Sequence, residues 1–274
     1  MRPVNDLDLR RWREYTEILT DSLWLLGPRD NSGVHTPEYW GNFVPQIPRQ
    51  AMLRFTRAGE LVLDPFLGLG TTLIECRRLG RFGIGVELVP EVAARARRLV
   101  AREPRRGGVR TRILVGDSQN PEIQRAVRAQ MRRWGFSAAH LLILHPPYHD
   151  IIRFSDLEAD LSNAPDEEEF YRRFAQVLDN FVPLLEEGRY LVLVIGDKYA
   201  RGEWIPLGFR AMERVLERGF RLKSICVKDI HENRGKRGQH HLWRYRALKE
   251  GFYVFRHEYV MFFQKIRRGR RAGR

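Results

Sequence analysis

Short apolar runs recur along the chain, each ending on a polar or glycine turn and each followed by a stretch of helical period. Leu61–Leu63, Phe82–Glu87, residues 112–116, Leu141–Leu144, Tyr190–Ile195 and Leu222–Val227 read as strands, and Phe252–Gln264 as a last one. Helices are predicted over Thr71–Leu79, Pro90–Arg102, residues 121–134 and Ile205–Arg218. Another opens at Pro165, with acids in its first turn and Phe170, Phe174, Val177, Leu178 and Phe181 on one face. Residues 10–26 space Trp12, Tyr15, Ile18, Leu19, Leu23 and Leu26 as an amphipathic N-terminal helix. Pro48 opens a helix that closes at Ala58-Gly59. Alternation of buried strands with helices predicts an α/β, Rossmann-like fold. Its sheet is mostly parallel, with helices on both faces and an antiparallel C-terminal edge strand.

Composition adds a partner class. Net charge is +14, and of 48 basic residues only six are Lys. Codon composition or heat adaptation explains Arg over Lys, but not the excess of base over acid, so a polyanionic partner is expected. With 43% hydrophobic residues and no apolar run near the roughly 20 a bilayer span needs, no membrane role is expected. The first residues lack an apolar signal core, so a cytoplasmic location is expected. Cys76 and Cys226 read as two buried thiols, and no metal-ligand spacing is present.

Candidate chemistry collects at strand ends: Asp64, Glu87, Asp117, His145 and Asp197 all close predicted strands, where ligands sit in such sheets. After Asp64 come Pro65, Phe66 and a turn with Gly68 and Gly70, then Thr71 and Thr72 at a helix start. This is neither a dinucleotide fingerprint nor a P-loop. The helix N-terminus suits a ligand carboxylate, Asp64 an ammonium and Glu87 a ribose, a set that describes S-adenosylmethionine. Asp117 and Ser118 lie where its adenine would sit, or cap the next helix. His145-Pro146-Pro147-Tyr148 follows a buried strand. The proline pair fixes the backbone, Tyr148 offers a rigid aromatic face for a flat base, and a carbonyl with the side chain at 145 can accept from an exocyclic amine.

On Asp64-Pro65-Phe66, Gly68, Gly70, Thr71-Thr72, Gly85-Val86-Glu87 and Pro146-Pro147-Tyr148, the chain resembles the S-adenosylmethionine-dependent DNA amino-methyltransferases. Phe43, Pro45 and Gln46 are similar to the segment that caps the methionine end of their cofactor. The resemblance covers roughly residues 35–265. It implies a methyltransferase fold, with Phe43, Pro45, Gln46, Asp64, Pro65, Phe66, Gly68, Gly70, Thr71, Thr72, Glu87, Asp117 and Ser118 on the cofactor. His145, Pro146, Pro147 and Tyr148 would take a flipped base. His145 replaces the family's Asp, Asn or Ser, which leans the reading towards cytosine N4 over adenine N6. The cofactor motif precedes Pro-Pro-Tyr, the reverse of many members with this signature. The expected organisation is an N-terminal helical extension (1–34), a methyltransferase domain (35–266) with a basic, aromatic insertion at 228–250, and a disordered basic tail (267–274). Arg234, Lys236, Arg237, His240, His241, Trp243, Arg244, Tyr245 and Arg246 of that insertion are expected to contact nucleic acid. DNA is the expected partner. RNA, or nucleic-acid binding without catalysis, are the alternatives.

Overall fold

Alternation within the strands decides which way each layer packs. The computed structural model describes residues 4–39, 41–230 and 240–267. Its strands are β1 (Leu23–Trp24), β2 (Leu61–Asp64), β3 (Phe82–Glu87), β4 (Thr111–Val115), β5 (Ala139–Leu144), β6 (Leu185–Ile195), β7 (Lys198–Ala200), β8 (Glu203–Ile205), β9 (Phe220–Asp229) and β10 (His257–Lys265). Its helices are α1 (Gln46–Phe55), α2 (Thr71–Leu79), α3 (Pro90–Arg102), α4 (Pro121–Arg133), α5 (Glu167–Phe181), α6 (Leu207–Leu216) and α7 (His240–Glu250). Leu61, Leu63, Leu142, Leu144, Leu191, Leu193 and Met261 face α4, α5 and α6. Val62, Leu141, Ile143, Val192, Val194 and Val260 face α1, α2 and α3. The strand period of two thus buries both sides of one sheet.

Eight strands form the main sheet in the order β1-β9-β10-β6-β5-β2-β3-β4. From β4 to β6 every pairing is parallel. β10 is antiparallel to both β6 and β9. The antiparallel strand therefore lies inside the sheet, and β1, parallel to β9, forms that edge. The chain adds β3 and β4 on one side of β2, then crosses to place β5 on the other. The switch point falls between β2 and β5, beyond whose carboxyl ends a crevice opens.

Local chemistry accounts for the helix boundaries. Pro90 and Pro121 stand at first helical positions, with Glu91 and Glu122 in the first turns. Asp166 caps α5 by accepting from the Glu169 amide, and three Glu follow it. Gly80 ends α2 in the left-handed conformation at φ 71°.

Residues 10–26 depart from expectation. A 3-10 turn spans Leu9–Glu14 with none of its residues buried, and Trp12 is 63% exposed. The chain then extends into β1, which pairs with the outer edge of β9. Trp24 is fully buried beside Phe262, its indole N–H given to the Asp21 carbonyl. Covering an open strand edge and burying one Trp outweigh a helical period that finds no core to face. Between the expected strand and helix lies the β7–β8 hairpin, which claims Ile205, so that α6 begins at Leu207 instead of Ile205. Of the expected tail, residues 268–274 lie outside the described residues.

Gly70 shows what one turn glycine does. It sits at φ +88°, and a Cβ there would stand 2.7 Å from Val100 Cγ2 of α3. Gly70 thus serves helix packing rather than approach of a ligand. Gly70→Ala combines a left-handed backbone, costing roughly 1–2 kcal/mol, with overpacking of about 1–3 kcal/mol. Urea denaturation is expected to show a lower midpoint at unchanged slope, and an unshifted midpoint would contradict the packing role.

Candidate active site

The loop after β2 is built around Asp64. Its carboxylate is buried, accepting from the Thr72 hydroxyl at 2.6 Å and from the Phe66 amide at 2.9 Å. Burial pushes its carboxyl up to about 6, against those two hydrogen bonds. Thr71 donates to Asn42 Oδ1 at 2.6 Å. Both threonine hydroxyls and both Asp64 oxygens are therefore used inside the protein. With Gly70, these residues lie behind the cavity wall instead of on it. They hold the loop's shape, and the ammonium and carboxylate contacts expected of them are not what the geometry provides.

In front of the loop lies a cavity of about 990 Å³, at the switch point between β2 and β5. Pro65, Phe66 and Gly68 line it, with Glu87, Asp117 and Ser118 from the ends of β3 and β4. Glu87 accepts from the Gly68 amide at 2.8 Å and the Val89 amide at 3.0 Å. Burial pushes its carboxyl up to about 7 despite these bonds. No ion pair balances it among the described residues, so a ligand bringing hydroxyl donors, such as a ribose diol, fits this acid. Asp117 accepts from the amide and side chain of Gln119, and Ser118 donates to the Pro65 carbonyl at 2.8 Å. Asp117 thus lines the cavity and shapes the turn, but neither it nor Ser118 caps the next helix: Asn120 caps α4, accepting from the Glu122 amide at 2.8 Å.

The aromatic loop before α1 forms another wall. Phe43 is buried on the cavity, and Tyr39 stands over Gly68. Arg29 donates to the carbonyls of Asn42 and Phe43 and also lines the cavity, a cation suited to a ligand carboxylate. Gln46 bonds the Pro28 carbonyl and the Asp30 amide, and Pro45 begins α1; neither touches the cavity. Gln46 clamps the N-terminal segment.

His145, Pro146, Pro147 and Tyr148 line the far side of the same cavity. The His145 ring lies 4.8 Å from that of Phe43 and meets Tyr148 edge-on at 5.6 Å. Tyr148 packs on Gly196, where a Cβ would come within 3.0 Å of its ring. His145 Nε2 is 3.1 Å from the Tyr148 oxygen, and Tyr148 donates to Glu258 Oε2 at 2.7 Å. Lys228 Nζ is 3.1 Å from Glu258 Oε1. Burial pushes His145 down to about 4 and Tyr148 far up. For Glu258 burial acts upward, but Lys228, His145 and its hydrogen bonds outweigh it and hold the acid below its usual range. His145 is thus neutral and Glu258 ionised at neutral pH. Behind the motif, His149 adopts φ +50°. Its ring is held between the Ala164 carbonyl and Lys198, which also bonds Asp150 and Glu167.

Sequence reasoning missed Lys228 and Glu258. They face each other in register across β9 and β10, Lys228 beside Asp229 at the end of β9 and Glu258 at the start of β10 before an apolar run. A pair of opposite charges at the ends of two neighbouring strands was the available signal. Asp197, expected at the site, lines the cavity while accepting from the Gly208 amide and the Trp204 and Tyr259 side chains. Of the insertion, Arg234, Lys236, Arg237 and the side chain of His240 lie outside the described residues. His241, Arg244, Tyr245 and Arg246 are exposed on α7. Trp243 of the same helix reaches the cavity, with the Arg246 guanidinium 5.5 Å over its ring.

Residues 10–98 match the model of a DNA methylase family. The chain is 38% identical over 58 residues to the type II methyltransferase M.MjaII of Methanocaldococcus jannaschii, covering 21% of this chain and 11% of that protein. It is 33% identical over 70 residues to the type II methyltransferase M.Cfr9I of Citrobacter freundii, covering 26% and 22%. The chain thus spans less than a quarter of the length of these relatives. TrmN from Thermus thermophilus shares the fold, with TM-score 0.50 and 20% identity over 82% of this chain and 49% of that one. The family match takes in Phe43, the loop after β2 and Glu87, three parts of the cavity wall. Over these residues, a third of the chain or less, the chain is similar to DNA methylases and type II methyltransferases.

Proposed function

We propose that this protein methylates the exocyclic amine of a DNA base, cytosine N4 in preference to adenine N6. One observation carries the reading. A single cavity joins Glu87 and Asp117 at the ends of β3 and β4 to His145-Pro146-Pro147-Tyr148 at the end of β5. Glu87 holds the ribose hydroxyls, Asp117 and Ser118 border the adenine, and Arg29 takes the carboxylate. Bound there, S-adenosylmethionine supplies an electrophilic methyl group on a sulfonium. Tyr148 stacks on a base flipped into the cavity. The Pro146 carbonyl and the neutral His145 ring accept the two amine protons, leaving the nitrogen lone pair free. A neutral acceptor at position 145, in place of a carboxylate, favours cytosine. Trp243 and the exposed Arg244 and Arg246 of α7 approach the nucleic acid at the cavity mouth. Residues 35–266 form the methyltransferase unit, flanked by segments 1–34 and 267–274, in a cytoplasmic setting.

Labelled S-adenosylmethionine, incubated with genomic DNA or total RNA before nucleoside digestion, tests the assignment. N4-methylcytosine is expected. N6-methyladenine would move the base, label in RNA alone would move the substrate, and cofactor binding without any transfer would remove the enzymatic reading.

Tyr148→Ala is expected to lower transfer by about tenfold to a hundredfold or more, from the stacking it removes. Cofactor affinity, measured by calorimetry, should change little. An active variant would eliminate stacking as the role of this ring.

Cofactor affinity should also depend on pH through Glu87. Its carboxyl ionises only near 7, and ribose hydroxyls bind the ionised form. Affinity is expected to rise by up to about tenfold per unit from pH 6 towards 7 and to level off above. Glu87→Gln should bind more weakly and without that slope. A flat wild-type profile would place the ribose elsewhere.

A further inference from the structure

The four-residue chain Lys228–Glu258–Tyr148–His145 contains more acceptors than its geometry uses. Lys228 donates to one oxygen of Glu258 at 3.1 Å, and the other oxygen, 2.7 Å from Tyr148, has no proton of its own. The single hydroxyl proton of Tyr148 must fill that gap. Its oxygen can then meet His145 Nε2, 3.1 Å away, only as an acceptor. The proton in that second gap belongs to the imidazole. A neutral ring holding its proton on Nε2 carries a bare lone pair on Nδ1. Nδ1 of His145 makes no hydrogen bond among the described residues, nor is it among the buried polar atoms sealed off without a partner. His145 itself lines the cavity.

We propose that Glu258 is a positioning residue: acting through Tyr148, it locks His145 in the Nε2–H tautomer so that Nδ1 is the acceptor offered to the substrate amine. The catalytic part of this inference rests on the methyl-transfer reading above; the tautomer itself does not. The opposite tautomer would present an N–H to an amine, donor against donor. Position 145 therefore works as an acceptor only while Glu258 keeps its charge and Lys228 holds it. Tyr148 has two separable functions, its ring for the base and its hydroxyl for the relay.

Glu258→Gln is the decisive variant. Lys228 keeps the Gln carbonyl oxygen as its acceptor, which turns the amide nitrogen towards Tyr148. The amide then donates to the phenol oxygen, Tyr148 passes its own proton towards His145 Nε2, and the ring proton moves to Nδ1. Nitrogen NMR of histidine-labelled full-length protein at pH 7 reads this directly, with the His145 signals assigned from a His145→Ala spectrum. Wild type is expected to show a protonated Nε2 and a bare Nδ1, and Glu258→Gln the reverse. Transfer should fall at least tenfold in kcat, with cofactor affinity unchanged. Tyr148→Phe, which keeps the ring and lacks the relay, serves where Glu258→Gln does not fold; its His145 signals should show both tautomers. A protonated Nδ1 in wild type, or a tautomer indifferent to both variants, overturns the proposal. If the NMR outcome is as expected and no nucleic acid is methylated, the relay stands and the methyl-transfer reading falls.

Discussion

Between β2 and β5 the sheet reverses the direction in which the chain adds strands, so the loops leaving these two neighbours diverge. Backbone that would otherwise fill the space above the strand ends turns away on both sides. A cavity of this size cannot be packed shut by either loop, and each must satisfy its own polar groups while bordering it. Asp64 does this after β2, collecting the Phe66 amide and the Thr72 hydroxyl to close a turn whose outer surface, Pro65 to Gly68, becomes wall. The prolines after β5 do it differently, having no amide protons to satisfy. Both motifs are solutions to one topological constraint, which is why they meet across a cavity although some eighty residues separate them.

Three buried acids around this crevice show how partner, not depth, sets charge. Asp64 and Glu87 receive only neutral donors, and burial prevails, to about 6 and about 7. Glu258 is equally enclosed, but an ammonium 3.1 Å away reverses the outcome. Desolvation costs a lone ion several kcal/mol; two neutral hydrogen bonds do not offset it at Asp64 or Glu87, whereas an opposite charge in hydrogen-bonded contact does at Glu258. The end of the cavity at β3 therefore holds a carboxyl whose charge is finely balanced near neutral pH. The end at β5 holds one whose charge is secure.

Much of this was written in short-range pattern. The parallel strands, their helices and the polar residues at strand ends follow from periodicity and turn chemistry, because each is decided within about ten residues. What pattern left out was decided across the sheet. Residues 10–26 carry a helical period, yet the open edge of β9 claims Leu23 and Trp24 for a strand. Gln46 and Thr72 sit within recognisable motifs, but their partners, Pro28 and Asp64, show that they brace loops behind the wall. Lys228 and Glu258 became visible only through the β9–β10 register, which spans a segment no local rule could measure. Position 145 was readable as a departure from the residue of the family that the chain resembles, and its meaning required knowing what stands behind Tyr148.

That meaning follows from the electrostatics of the pair. A carboxylate at position 145 would lie across one phenol oxygen from the ionised Glu258. Two like charges so placed in a dry site cannot both persist, and one acid would keep its proton. The proposed substrate amine would then meet a carboxylic O–H or a weakened acceptor. An imidazole removes the conflict, because burial holds it neutral, with its pKa down at about 4, while Glu258 stays ionised. The substitution brings a requirement that a symmetric carboxylate never has: the proton must sit on the correct one of two nitrogens. Among the described residues the Tyr148 oxygen is the atom in reach of Nε2, and Glu258 decides which way that oxygen faces. His145 and Glu258 therefore depend on each other, with Tyr148 carrying the dependence between them.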